Sequence, residues 1–178
     1  MKEKIIAHKK QITLIALAVI LLFCLWYTRP KSWIDLTRDY GDVREIVADV
    51  TIWEYDNTWE HMMSRSYDLE VDGSSDAAKE LLALLENNSY RPMLRTILPL
   101  SSLEGGDYEG SEIWAAILTV NLVYEDTVLH LSFMGDRLSF SGLGTSGLRG
   151  YIIRDPSISD ALSRLIMEHG VLDSENHM

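Results

Sequence analysis

Cysteine is almost absent from this chain of 178 residues. The single one, Cys24, lies in an uncharged stretch near the N-terminus, so the rest of the chain has neither a thiol nucleophile nor an internal disulfide. Lysine is also scarce beyond that stretch, where only Lys31 and Lys79 occur, which leaves little scope for lysine-dependent catalysis. Residues 29–178 must therefore be stabilised by their own hydrophobic core, which a segment of this length can supply.

Familiar catalytic and metal-binding motifs are missing too. The five histidines show no H-E-x-x-H or close-pair spacing for zinc, and no G-x-S-x-G elbow occurs. His130 falls within a predicted strand, where we interpret it as a structural residue. We expect no cofactor and favour a protein that is not an enzyme. The alternative is a hydrolase acting on envelope material, with a site assembled from distant residues.

The charge of the chain is strongly acidic and unevenly distributed. Residues 1–28 carry four lysines and one glutamate, which is a net charge of +3. Because the whole chain has a net charge of −11, residues 29–178 have a net charge of −11 − 3 = −14. Nucleic-acid binding depends largely on Lys and Arg side chains that contact phosphates. The acidic remainder therefore argues against a nucleic-acid partner.

One long apolar run stands out against this polar background. Residues 11–28 (QITLIALAVILLFCLWYT) carry no charge, and a membrane-spanning helix needs roughly 17 to 25 residues of this kind. The run follows a short basic tail, residues 1–10, and lacks the small-residue cleavage site of a secretory signal. We therefore predict a retained single-pass transmembrane helix in the cell membrane, with the C-terminal domain extracytoplasmic because the basic tail stays inside.

The remaining chain divides into a predicted juxtamembrane linker, residues 29–43, and one domain, residues 44–178. Alternation with a period of two over residues 46–55 and 66–72 indicates two paired strands. The next segment changes to helical spacing, with Ser74 or Ser75 as the N-cap of a helix that ends near Asn87.

The second half of the domain is rich in strand patterns. Residues 113–124 are apolar on both faces, which is typical of a central strand covered on both sides. Three more strands follow, two of them joined by a Gly135-Asp136 turn, and a last helix runs from Pro156 to a cap at Gly170. The predicted fold is α+β in the order β-β-α-β-β-β-β-α, a mostly antiparallel sheet with two packed helices.

A glycine triplet resembles a phosphate-binding motif. Gly142, Gly144 and Gly147 have the spacing G-x-G-x-x-G, which in dinucleotide-binding folds leaves a strand and opens a helix. The residues after Gly147 have the pattern of another strand. We therefore interpret the triplet as a connection between strands, with Arg149 at its edge as a weak anion contact.

Two acidic segments are candidate cation sites. Asp68, Glu70 and Asp72 occupy positions 1, 3 and 5 of a calcium loop, but Lys79 stands where a bidentate glutamate is required. Their alternation with apolar residues indicates the solvated face of a strand instead. A looser site in the acidic glycine-rich segment is a weak candidate, with these carboxylates as ligands: Glu104, Asp107, Glu109 and Glu112.

Aromatic residues supply the most suggestive candidate surface. Trp53 and Tyr55 share one face of a predicted strand, and Trp59 follows in the next loop. Two interpretations stay open: residues 89–111 cover this face, or it docks a protein partner, a glycan or a second copy of the chain. We expect an acidic domain that binds a partner without catalysis, and its candidate binding residues are Trp53, Tyr55, Trp59 and Arg149.

Overall fold

The computed structural model describes residues 2–38, 40–55, 62–93, 117–142 and 149–177. The helices are α1 (Lys2–Tyr27), α2 (Trp33–Thr37), α3 (Asp76–Glu86) and α4 (Ser157–His169). The strands are β1 (Lys31–Ser32), β2 (Glu45–Tyr55), β3 (Met62–Asp72), β4 (Ser89–Pro92), β5 (Ile117–Val123), β6 (Val128–Met134), β7 (Arg137–Gly142), β8 (Arg149–Ile153) and β9 (Val171–His177).

The nine strands of the described residues form one sheet, in the order β1-β4-β8-β7-β6-β5-β2-β3-β9. Every pairing in it is antiparallel. The hairpin signal at Gly135-Asp136 is confirmed, because these two residues join β6 to β7 and Gly135 has a φ of 58° that favours glycine. The predicted mostly antiparallel sheet is thus present.

The core lies on one face of this sheet. Along β2 the residues Ile46, Ala48 and Val50 are buried, and the residues between them are not, as a period of two requires. The buried side chains of β5, β6 and β7 continue the same layer, and α3 and α4 complete it with their apolar faces. The helices therefore cover a single side of the sheet.

Capping residues fix the ends of the two core helices. Ser75 is the N-cap of α3, and its hydroxyl accepts a hydrogen bond from the Ala78 amide at 3.1 Å. Ser74 instead donates its hydroxyl to Asp72, so the structure decides between the two serines. The predicted last helix is confirmed, since Pro156 and Gly170 are the caps of α4.

The predicted order of elements was wrong, because the fold has four helices and more strands than expected. Residues 29–43, interpreted as a linker, contain β1 and α2. Trp33 at the start of α2 is only 3% exposed and packs on Tyr90, with ring centroids 5.7 Å apart. Tyr90 is buried as well and donates its hydroxyl to the Leu85 carbonyl at 2.8 Å. Short elements such as these carry too few residues for a clear periodic signal.

The predicted transmembrane helix, and with it the single-pass membrane location, is contradicted. Within the described part of the chain, no helix is both long enough and apolar enough to cross a membrane. The charged tail, residues 1–10, was expected to precede the span, yet it is helical from Lys2 and belongs to α1.

The prediction that residues 113–124 form a strand covered on both sides also fails where it can be examined. Residues 113–116 lie outside the described residues, and β5 buries only alternate positions, Leu118, Val120 and Leu122. Ile117 on the other face is half exposed. Among the described residues, helices therefore cover one face of the sheet. Most of the segment that was expected to cover the other face, residues 94–111, lies outside the described residues.

Gly170 joins α4 to β9 by a close backbone approach. Its backbone is extended, with φ −87° and ψ 179°, so no left-handed conformation demands glycine here. A Cβ at this position would instead lie 2.4 Å from the Ile166 carbonyl oxygen and 2.7 Å from that of Asp68. Only a residue without a side chain lets the chain turn into β9 beside β3.

We predict that Gly170→Ala destabilises the fold, because backbone atoms cannot move aside for the new methyl group. The expected loss in the free energy of unfolding is about 1–3 kcal/mol, the usual scale of overpacking. Urea unfolding measures it. Gly150→Ala is the matched control, since its Cβ would meet only the flexible Met93 side chain, at 3.1 Å from the sulfur. Equal losses in the two variants would contradict this account.

Candidate functional site on the helix-free face

One face of the sheet carries no helix of the described residues and is here called the helix-free face. It is mainly polar and also exposes the apolar side chains of Val47, Ile117, Met134 and Ile152. Its positions alternate with the buried ones, so strand geometry assigns them without ambiguity. The described side chains that best define it are Val47, Asp49, Thr51 and Trp53 of β2, Asp68 and Glu70 of β3, Thr119 and Asn121 of β5, His130 and Ser132 of β6, and Ser139 and Ser141 of β7.

Hydroxyl groups line the middle of this face. Strand register places Thr119, Ser132 and Ser139 side by side across β5, β6 and β7. On the neighbouring strands the hydroxyls of Thr51 and Ser66 are hydrogen-bonded at 2.9 Å. Short side chains on adjacent strands leave the face flat, which suits contact with another surface better than enclosure of a small molecule.

Carboxylates gather at one end of the face, across β2 and β3. This acidic patch consists of Glu45, Asp49, Asp68, Glu70 and Asp72, with Val47 between them. Val47 is 37% exposed, and Asp68 and Glu70 are exposed. Like charges on opposed strands repel each other, so the patch costs stability in the isolated chain.

Asp49 is the most perturbed member of the acidic patch. It stands opposite Asp68 on one side and Thr119 on the other. Partial burial raises the pKa of Asp49 above its ordinary value, the charge of Asp68 raises it further, and a hydrogen bond from Thr119 opposes both effects. The folded chain therefore holds a proton on Asp49 more tightly than the unfolded chain does.

A second polar row on the helix-free face centres on His130. Its ring Nδ1 lies 2.5 Å from the side-chain oxygen of Asn121, its partner on β5. Ser141 is its partner on β7. Asn, His and Ser thus form a row across three strands, yet the described hydrogen bonds join His130 to Asn121 and none joins it to Ser141. His130 itself is exposed.

Of the four predicted binding residues, Trp53 and Arg149 lie on strands that are not neighbours in the sheet. Trp53 lies on the helix-free face and is half-buried, opposite the buried Ser64. Tyr55 is the last residue of β2, and Trp59 lies outside the described residues. Arg149 begins β8, four strand positions from β2, which amounts to about 19 Å at about 4.8 Å per strand. Trp53 and Arg149 are therefore separated by β5, β6 and β7.

The glycine triplet connects neighbouring strands. Gly142 ends β7 and Arg149 begins β8, and these two strands pair antiparallel, with Phe140 opposite Arg149. Residues 143–148 lie outside the described residues. Because a strand, and not a helix, follows at Arg149, the arrangement required for dinucleotide binding is not present.

The calcium-like segment provides no metal centre among the described residues. No group of three or more His, Cys, Asp or Glu side chains there could hold a metal ion. Asp72 of the calcium-like segment instead accepts a hydrogen bond from the Ser74 amide at 2.8 Å, which shapes the turn before α3. The weaker candidates, Glu104, Asp107, Glu109 and Glu112, lie outside the described residues.

Comparison with known proteins finds no significant match for this chain: no family model, no curated protein and no solved structure resembles it. Sequence reasoning located Trp53 on this face but did not find the acidic patch, the hydroxyl row or the pairing of His130 with Asn121. The alternation in each strand marks these residues as polar positions. Their grouping depends on the order and register of five strands.

Asp49→Asn should stabilise the fold at neutral pH. The raised folded-state pKa means that charging Asp49 costs stability, and this cost grows as the pH rises from the ordinary value of 3.8 through the folded-state pKa. At pH 7 we expect a gain of about 0.5 kcal/mol, the scale of one cross-strand pair. At pH 3 both versions are neutral at this position and should be equally stable.

Urea unfolding at the two pH values measures this difference. Asp126→Asn, in the exposed turn between β5 and β6, removes the same charge outside the acidic patch and should change little at either pH. A gain for Asp49→Asn that persists at pH 3, or no gain at pH 7, would contradict the role of charge repulsion.

Proposed function

We propose that this domain is a binding module without catalytic activity, and that it docks a protein partner on the helix-free face. The observation that carries the proposal is the one-sided core. The helices bury one face of the sheet, whereas His130, Ser132 and Glu70 on the other face remain exposed. A broad, flat, accessible surface is the geometry of a protein interface.

The acidic patch indicates the chemistry of that partner. Five carboxylates on two adjacent strands, in a chain of net charge −11, repel another acidic surface and attract a basic one. Association through this end of the face with a second copy of the chain would bring carboxylates against carboxylates. The proposal therefore favours a partner that presents Lys or Arg, with Val47 and Trp53 adding apolar contact.

Site-directed photocrosslinking tests the location of the docking surface. A photoreactive residue that replaces Ser132, on the helix-free face, should yield a discrete crosslinked species in extracts of the source cells. The same residue in place of the exposed Glu80, on α3, is the control on the opposite side of the sheet. Adding Asp68→Lys to the Ser132 probe should reduce the crosslink about tenfold, because a favourable charge pair becomes repulsive.

The outcomes separate the alternatives. Identical crosslinks from both probes, or a Ser132 crosslink that survives Asp68→Lys, would rule out docking through the acidic side of the helix-free face. An adduct of twice the mass of the chain would identify a second copy as the occupant.

The alternative function, a hydrolase, has one observation in its favour. The row Asn121–His130–Ser141 contains the residue types of a nucleophile, a base and an orienting group, with the His130–Asn121 contact already formed. Hydrolysis requires His130 to take the proton of the Ser141 hydroxyl, and the described hydrogen bonds do not include that contact. For this reason we place hydrolysis second.

Chromogenic p-nitrophenyl esters provide a direct assay for the hydrolase. If it exists, turnover by the unmodified chain should exceed buffer, and His130→Ala and Ser141→Ala should each lower it by about a thousandfold or more. His169→Ala, at the exposed end of α4, is the matched control and should leave turnover unchanged. Turnover equal to buffer, or equal in all variants, would exclude this site.

A further inference from the structure

The sheet has two edges, and they differ in how well they are protected. At one edge, β1 has only two residues, follows Pro30 and leads directly into α2. At the other edge, β9 runs for seven residues and pairs only with β3. Along its outer side the backbone amides and carbonyls of β9 have no strand partner among the described residues. Such an edge can accept one more strand.

The sequence of β9 does not block such pairing. Edge strands are commonly protected by proline, lysine or a bulge that turns the edge away. The strand VLDSENH contains no proline and no lysine. It has one bulge, at Asp173, because Ser66 pairs with Ser174 and Tyr67 with Leu172, and regular pairing with β3 resumes on both sides of it. Val171 and Leu172 at its start are 73% and 47% exposed. These two apolar side chains are available to an added strand.

The charge of β9 selects the kind of strand that can be added. Asp173 and Glu175 are both exposed, and Glu175 reaches back to Arg65 of β3 at 2.9 Å. Asp173 has no ion pair with a described residue, and Val171 stands opposite Asp68 of the acidic patch. A second copy of β9 would bring acidic side chains to an acidic edge in a chain of net charge −11. A basic strand would face complementary charge.

We propose that β9 binds an extended, Lys- or Arg-bearing segment of a partner protein by strand addition, so that the segment becomes the tenth strand of the sheet. Main-chain hydrogen bonds to the outer side of β9 supply the pairing, and Asp173 supplies the preference for basic residues. This site is an edge and not the helix-free face, so it does not depend on the docking proposed above.

Peptide binding to the full chain tests strand addition. The probe is a fluorescent octapeptide of alternating Lys and Val with blocked ends, and binding is followed by anisotropy. Two control peptides change one property each: alternating Glu and Val reverses the charge, and N-methylation of every second amide of the Lys-Val peptide removes hydrogen bonds from one edge. We expect the Lys-Val peptide to bind at least about tenfold more tightly than either control.

Two variants of the chain locate the site. Asp173→Lys should weaken the Lys-Val peptide about tenfold. Glu80→Lys makes the same charge change on α3 and should leave the affinity within about twofold, because surface charges more than a Debye length away are largely screened at physiological salt. Amide hydrogen exchange should slow across residues 171–175 when the Lys-Val peptide is bound.

Several results would overturn the proposal. Equal binding of the N-methylated peptide would show electrostatic attraction without strand pairing. Absence of binding by any peptide, or equal weakening by Asp173→Lys and Glu80→Lys, would remove β9 as the site. Protection of residues 171–175 that grows with protein concentration, without peptide, would identify a second copy of the chain as the occupant.

Discussion

One-sided burial of a wide antiparallel sheet is the constraint on which the rest of this structure depends. The alternating apolar residues of β2, β5, β6 and β7 form a single layer, and α3 and α4 seal it with Leu81, Leu85, Leu162 and Ile166. Burial of this apolar surface is the main favourable contribution to folding in a chain without disulfides. Because two helices suffice to complete the core, the opposite face is not needed for stability and can carry polar and charged groups.

Small local features attach the outer elements to that layer. Trp33 anchors α2 through its contact with Tyr90, whose hydroxyl satisfies the Leu85 carbonyl near the end of α3. Burial raises the pKa of Tyr90 well above its ordinary value, so the phenol stays protonated and remains a donor. On the far side of the core, Gly170 allows the chain to leave α4 within contact distance of β3 and so to add β9. The edge strand β9 thus depends on Gly170, a residue without a side chain.

Because the core lies on one face of the sheet, the acidic patch on the other face is the candidate for binding. Carboxylates that repel one another across β2 and β3 do not improve the isolated fold, and burial of Asp49 makes the repulsion more costly. Residues retained at a cost in stability are reasonable candidates for binding. The acidic patch and the acidic edge at β9 lie on neighbouring strands, so both present the same sign of charge to an approaching partner.

The sequence by itself determined the local elements of this protein: the alternation of β2 and β3, the helical periods of α3 and α4, and the turn at Gly135. These follow from neighbours along the chain, whose period of 2 or 3.6 can be read directly. Local composition was misleading at residues 11–28, where an apolar run predicted a membrane span that the structure contradicts. Only the tertiary structure decided that Asp49 stands between Asp68 and Thr119, that His130 meets Asn121, and that β9 is the edge strand of the described part of the sheet. Those contacts join residues far apart in the chain, and their register is set by how the strands pair around a shared core, which no local pattern contains.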